Sequence, residues 1–146
     1  MMNKLFDYLV VIFLVLVMIM AASCTTPTED DEFFGIPEME LDGRLPIDTN
    51  GYYHLELNSS TNQTIHTIGG KVTNTYEPSK VTWGSNLFWE FNGELVPTIN
   101  GSSYVQDNGD INTVIAPIFS MRNDTLVVQA ELNEWNIIQT IKIVLD

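Results

Sequence analysis

The chain has 146 residues, 19 Asp and Glu against six Lys and Arg, a net charge of −13 and a single cysteine. That length suits one domain plus a targeting segment rather than two domains. One cysteine excludes a disulfide framework, and the dispersed cations (Lys71, Lys80, Arg122 and Lys142, with Lys4 and Arg44 nearer the start) exclude a phosphate-binding stripe for nucleic acid.

Lys4 gives the chain a positive start, residues 8–22 form an unbroken apolar run, and Ala21, Ala22 and Ser23 close it with small side chains. This is the layout of a signal peptide over residues 1–23, with cleavage after Ser23. A permanent membrane helix fits less well, because about 15 residues at ~1.5 Å each reach only ~22 Å of a ~30 Å hydrocarbon core. Cys24 follows the small residues directly, where a plain secretory signal needs no thiol. Ala21-Ala22-Ser23-Cys24 resembles the lipobox of bacterial lipoproteins, with alanine in place of the commoner leucine at the third position before cysteine. The resemblance implies that the thiol of Cys24 takes a diacylglyceryl group and that cleavage exposes an amine open to acylation. Each buried CH₂ contributes ~0.8 kcal/mol and one acyl chain is marginal, so a two- or three-chain anchor holds without a spanning helix.

Residues 24–44 read as the lipidated cysteine and a disordered acidic tether: Thr25, Thr26, Pro27 and Thr28, then Glu29, Asp30, Asp31 and Glu32, offer nothing to bury. Nineteen or so residues of flexible coil reach on the order of 25 Å, which lifts a domain clear of the headgroups. Four adjacent carboxylates also repel one another and an anionic surface. Such a cluster shortly after the cysteine resembles the export signal of surface-exposed lipoproteins in Bacteroidota-type bacteria. It implies an outer-membrane address on the outer leaflet.

Residues 45–146 alternate with period two between Gly, Asn, Asp and Pro punctuation, which is an all-β pattern. Tyr53, Leu55 and Leu57 share one side, and His54, Glu56 and Asn58 the other. "TIHTIGGKVTNT" places Ile65, Ile68 and Val72 as apolar positions around Gly69-Gly70, where a bulge or kink is expected. "KVTWGSNLFWEF" puts Val81 and Trp83 on one parity and, after Gly84, Leu87, Trp89 and Phe91 on one parity; both tryptophans are expected in the core. A shorter run follows at residues 94–99, and "INTVIAPIF" with its Pro117 reads as an edge or strand terminus. In "TLVVQAEL" the inward face is Leu126, Val128, Ala130 and Leu132; in "IIQTIKIVL" it is Ile137, Ile141, Ile143 and Leu145, with Lys142 outward. Seven or eight strands at this spacing predict a two-sheet sandwich. "GGKVTNTYEPSKVTW" and "TIKIVLD" resemble the second, third and closing strands of immunoglobulin-like bacterial modules, which implies that topology here.

The chemistry offered is sparse. His54 and His66 lie inside strand patterns with no nucleophile-turn motif beside them, so each reads as a solvated strand residue. Glu90 and Glu94 flank the Asn92-Gly93 turn and are the one carboxylate pair to test against the 5–9 Å spacing of a glycosidase, although a small sandwich offers little cleft. Asp107 and Asp110, with Asn108 and Asn112, group calcium-type oxygens, but without an EF-hand register and around an Asn108-Gly109 hairpin signal. No Cys/His set for zinc is present. Trp135 in "LNEWNII" falls at the turn before the last strand and is the tryptophan best placed to bind a ligand. The four Asn-x-Ser/Thr sequences at Asn58, Asn62, Asn100 and Asn123 presuppose a eukaryotic route and read as polar turns. Asp124-Thr125-Leu126 resembles an O-glycosylation signal of Bacteroidota-type bacteria.

The sequence therefore predicts a lipid-anchored lipoprotein of the bacterial cell envelope. It touches the membrane through Cys24 and displays a non-catalytic binding or assembly module that needs no cofactor, its partner a glycan or an envelope protein. The alternatives are a small carbohydrate-active hydrolase using Glu90 and Glu94, or a structural subunit of an outer-membrane complex.

Overall fold

A computed structural model describes residues 35–75 and 78–146. The expected signal peptide, Cys24 and the acidic cluster at residues 29–32 lie outside them.

The described residues form ten strands and one short 3₁₀ turn, so the fold is all-β. In chain order the strands are β1 (Glu38–Asp42), β2 (Tyr53–Leu55), β3 (His66–Thr73), β4 (Lys80–Ser85), β5 (Phe88–Phe91), β6 (Glu94–Pro97), β7 (Ser102–Tyr104), β8 (Asp110–Ile115), β9 (Thr125–Leu132) and β10 (Ile137–Leu145). One sheet has the order β1-β3-β8 and the other β2-β10-β9-β4-β7, while β5 and β6 make a hairpin of their own. Every pairing is antiparallel except β2 with β10, where Tyr53, His54 and Leu55 run alongside Ile143, Val144 and Leu145.

The period-two pattern turns one side of each sheet into the core. Ile68, Val72, Ile111 and Ile115 come from the three-stranded sheet; Val81, Trp83, Leu126, Val128, Ala130, Leu132, Ile143 and Leu145 come from the five-stranded one, and all join a single buried cluster. Burying a Val, Leu or Ile side chain contributes about 1.5–3 kcal/mol, so this interior is where a chain without disulfides obtains its stability. The expected inward faces of the last two strands hold: Leu126, Val128, Ala130, Leu132, Ile143 and Leu145 are fully buried, with Ile137 and Ile141 packed against them at half burial.

Several expectations need correction. The domain does not begin at residue 45: β1 lies in the stretch read as tether, and its Met39 and Leu41 are 5% and 8% exposed. Glu38, Glu40 and Asp42 alternate with them on the solvent side, and that acidic face made a strand look like a leash. The pairing of β3 with β1 and β8 runs through Gly69 and Gly70 without a bulge. What the glycines provide is closeness: a Cβ on Gly70 would collide with the backbone carbonyl of Glu40, and one on Gly69 would lie 2.5 Å from an Arg44 Nη2. Ile65 is 71% exposed and Phe91 57%, so neither joins the core, whereas Trp83 is buried and Leu87 and Trp89 are half-buried. Seven or eight strands become ten because β1 lies in the stretch read as tether and the short β7 in one read as loop, whereas β2 falls where the Tyr53–Leu57 alternation placed a strand.

The connections define two poles. At one, β3 ends and β4 begins, β9 turns into β10, and Val105 and Gln106 cross between sheets with bonds to Ser79 and Asp110. The chain enters the sandwich there, because Glu38 pairs with Thr73 at the end of β3. At the other pole the β5–β6 hairpin is rooted beside the end of β8, where Ala116 donates its N–H to Thr98.

Candidate functional site: an aromatic hairpin

The β5–β6 hairpin belongs to neither sheet, and the sequence "FWEFNGELVP" explains why it still forms. Asn92 and Gly93 both take positive φ, 52° and 83°, which is the two-residue turn whose twist suits a hairpin. At its base, Thr98 is fully buried and donates through both N–H and Oγ1 to the Leu87 carbonyl (3.3 and 3.1 Å), and its Oγ1 lies 3.0 Å from Ser85 Oγ. A two-stranded hairpin is marginal alone. This one is fixed at its root by a saturated polar knot.

Residues opposite one another share a face, and the register pairs Phe88 with Pro97, Trp89 with Val96, Glu90 with Leu95 and Phe91 with Glu94. One face therefore carries Phe88, Glu90 and Leu95, and the other Trp89, Phe91, Glu94 and Val96. Phe88 is 50% exposed and Leu95 74%; on the second face Trp89 meets Phe91 edge to face at 5.7 Å and 61°. These large apolar groups left in water on a rooted projection make the hairpin the candidate site.

The same register settles the geometry of Glu90 and Glu94. Glu94 shares its face with Phe91, the neighbour of Glu90, so the two carboxylates point to opposite sides of the hairpin. They cannot flank one glycosidic bond, which removes the geometric basis of that pair as acid and nucleophile. Counting across the turn suggested proximity, but side-chain alternation decides it.

Trp135 lies at the β9–β10 turn, as the sequence placed it, and is 46% exposed, with its backbone N–H bonded to the Leu132 carbonyl at 3.1 Å. That turn is at the pole where Val81 pairs with Leu132, whereas the hairpin root follows Ser85 at the far end of β4. Trp135 and the aromatic hairpin are thus separate features.

Asp107 and Asp110 do not converge on a cation. Asp110 Oδ2 accepts from Asn108 Nδ2 at 2.7 Å, Asp110 N–H donates to Asn108 Oδ1 at 3.0 Å, and Asn112 Oδ1 accepts from Arg44 Nη2 at 2.6 Å. The Asn108 and Asp110 oxygens build a turn around Gly109 at φ 84°, and Asn112 is tied to Arg44. Among the described residues, no group of three His, Cys, Asp or Glu is placed to hold a metal ion. A groove of about 400 Å³ beside β1 and β3 is lined by Glu40, Asp42, Arg44, Tyr53, Lys71 and Asp110, whose mixed charges leave no single-sign field.

His54 is not the solvated strand residue the sequence suggested. Its Nδ1 is 2.8 Å from Asp146 Oδ2 and its Nε2 is 3.6 Å from Asp48 Oδ2. The partner Asp146 is 92 residues away, brought in by the parallel β2–β10 pairing. The contact with Asp146 is a hydrogen bond, and the Asp48 carboxylate adds charge beside the other ring nitrogen. The imidazole clamps β2 and the Asp48 turn to the C-terminus.

The hydrogen bond that the His54 ring donates to Asp146, aided by the charges of Asp146 and Asp48, raises the His54 pKa above its ordinary 6.5. Asp48 is held below its ordinary 3.8, chiefly by the Tyr52 N–H. A raised histidine stabilises the fold fully below its unfolded value and loses that contribution as pH rises through the folded value; a lowered aspartate does so above its unfolded value and loses it as pH falls through the folded one. The clamp is therefore fully formed between about pH 4 and about pH 6.5. Thermal unfolding from about pH 5 to about pH 8 should show a modest decline for the wild type that is absent in His54→Gln. Parallel curves for the two proteins would contradict the clamp.

Neither a protein-family model nor a curated protein matches the chain. The candidate site therefore stands on its own geometry.

Proposed function

We propose that the protein is a lipid-anchored lipoprotein of the bacterial envelope, attached through Cys24 and exposed at the outer membrane. In this reading its sandwich presents a non-catalytic binding or assembly element. The observation that carries the binding part is the β5–β6 hairpin, with Phe88, Phe91 and Leu95 held in water on a fixed root. The absence of a shared face for Glu90 and Glu94 favours binding over hydrolysis. The start of β1 lies at the pole opposite the hairpin root, which suits display of the hairpin.

The test is recovery of a partner from detergent-solubilised envelopes at low salt. The wild type should retain a component that Phe88→Ser/Phe91→Ser/Leu95→Ser loses at unchanged thermal stability. Equal recovery by both, or none by either, contradicts the hairpin as the contact element.

A further inference from the structure

Hairpin geometry fixes which backbone groups of β5 face outward. Across a two-residue turn the closing pair, Phe91 and Glu94, exchanges backbone hydrogen bonds, and pairs then alternate between bonded and unbonded. Glu90 with Leu95 and Phe88 with Pro97 are the unbonded pairs, which agrees with Pro97 having no N–H to give. The N–H and C=O of Phe88 and Glu90 therefore point away from β6, and no other strand among the described residues pairs with that edge.

Several other edges carry devices against strand addition. The outer side of β1 presents Glu38, Glu40 and Asp42; β6 has Pro97; β2 is bridged by Ile47; β8 is closed by the Ile99 bridge and the Asn100 N–H to Val114 carbonyl bond; β7 is three residues long. The β5 edge has neither proline nor bulge, and its side chains are aromatic on both faces.

Resting on the binding reading above, we infer that the β5 edge accepts an extended segment of another polypeptide as an added strand, with Lys or Arg opposite Glu90 and apolar residues facing Trp89 and Phe91. Charge complementarity selects this occupant. Glu90 and Glu94 are the hairpin's charged groups, and no Lys or Arg occurs from residue 81 to residue 121. A second copy would bring another chain of net charge −13, and an anionic lipid surface would meet the same carboxylates. In an added strand alternate side chains fall on opposite faces, so a segment alternating cationic and apolar residues meets Glu90 on one side and Trp89 with Phe91 on the other.

The experiment uses the full chain in detergent micelles with two synthetic peptides, one alternating Val and Lys and one alternating Val and Glu. The Val/Lys peptide should slow amide exchange at Phe88 and Glu90, and the Val/Glu peptide should not. Glu90→Pro removes an outward N–H without touching the β5–β6 ladder and should abolish the protection; Glu90→Gln should weaken binding about fivefold at low salt, the size of one exposed ion pair. Equal protection by both peptides overturns the charge assignment but leaves the hairpin as a contact surface. Protection by neither, with the serine variant still losing its envelope partner, overturns strand addition alone; protection by neither with no such loss overturns the binding reading as well. Self-association that blocks the edge, or hairpin-dependent binding to anionic vesicles or neutral oligosaccharides in place of the Val/Lys peptide, assigns a different occupant and overturns the inference.

Discussion

Gly70→Ala is expected to destabilise the sandwich by about 2–3 kcal/mol, the upper part of the range for forced overpacking, and to lower the unfolding temperature accordingly. Gly70 lies in the middle strand of the three-stranded sheet, opposite Leu41 on one side and Ile111 on the other. An added methyl would run into the Glu40 carbonyl oxygen and come within 3.1 Å of Leu41 Cα. Both obstacles are backbone, so relief requires β1 to move away from β3 and exposes Met39 and Leu41. Gly84→Ala is the control: a Cβ there meets nothing within 4 Å, and its φ is outside the left-handed region. That substitution should be neutral or stabilising by up to ~1 kcal/mol, through the unfolded chain. Chemical denaturation of the two variants decides the matter, and equal effects would mean that the close approach of β1 and β3 is absent.

Trp83→Ala is expected to cost about 3–5 kcal/mol. The indole is 4% exposed on β4, inside the main cluster, and its Nε1 donates to Ser103 Oγ at 2.8 Å, which ties β4 to β7. Removing it leaves a cavity between the sheets and an unanswered hydroxyl. Trp83→Phe keeps most of the volume and should cost less, with the lost hydrogen bond contributing about 1 kcal/mol. If Trp83→Ala unfolds at the same denaturant concentration as the wild type, the assignment of Trp83 to the core is wrong.

The fold was legible where one residue type alternated with another over six or more positions. β9 and β10 show this: their buried set follows from the sequence because Leu, Val, Ala and Ile return every second residue. β1 was missed for an electrostatic reason, since two buried apolar residues were outweighed by three carboxylates on the other face and by the acidic stretch before them. Phe91 was assigned to the core on parity alone, which holds only while a strand stays in a packed sheet; β5 leaves the sheet after Ser85, and the same parity then points into solvent.

The candidate site was legible only in part. The Asn92-Gly93 turn and the aromatic content of the hairpin are on the face of the sequence, but the separation of Glu90 from Glu94 needs the register, and the exposure of Phe88 and Leu95 needs the hairpin's departure from both sheets. The His54 clamp could not be read locally, because its strongest partner is the C-terminal residue. The sequence placed Trp135 at the turn before the last strand without deciding whether it folds back onto the sandwich; it is 46% exposed there, at the other pole from the hairpin root.

Lipid attachment at Cys24 is the claim on which display at the cell surface depends, and metabolic labelling tests it most directly. Cells expressing the full chain with labelled palmitate should yield a labelled protein in the membrane fraction, and Cys24→Ala should yield an unlabelled one that is released from it. Label of equal intensity in the Cys24→Ala protein would contradict the anchor and, with it, the reading of the N-terminus.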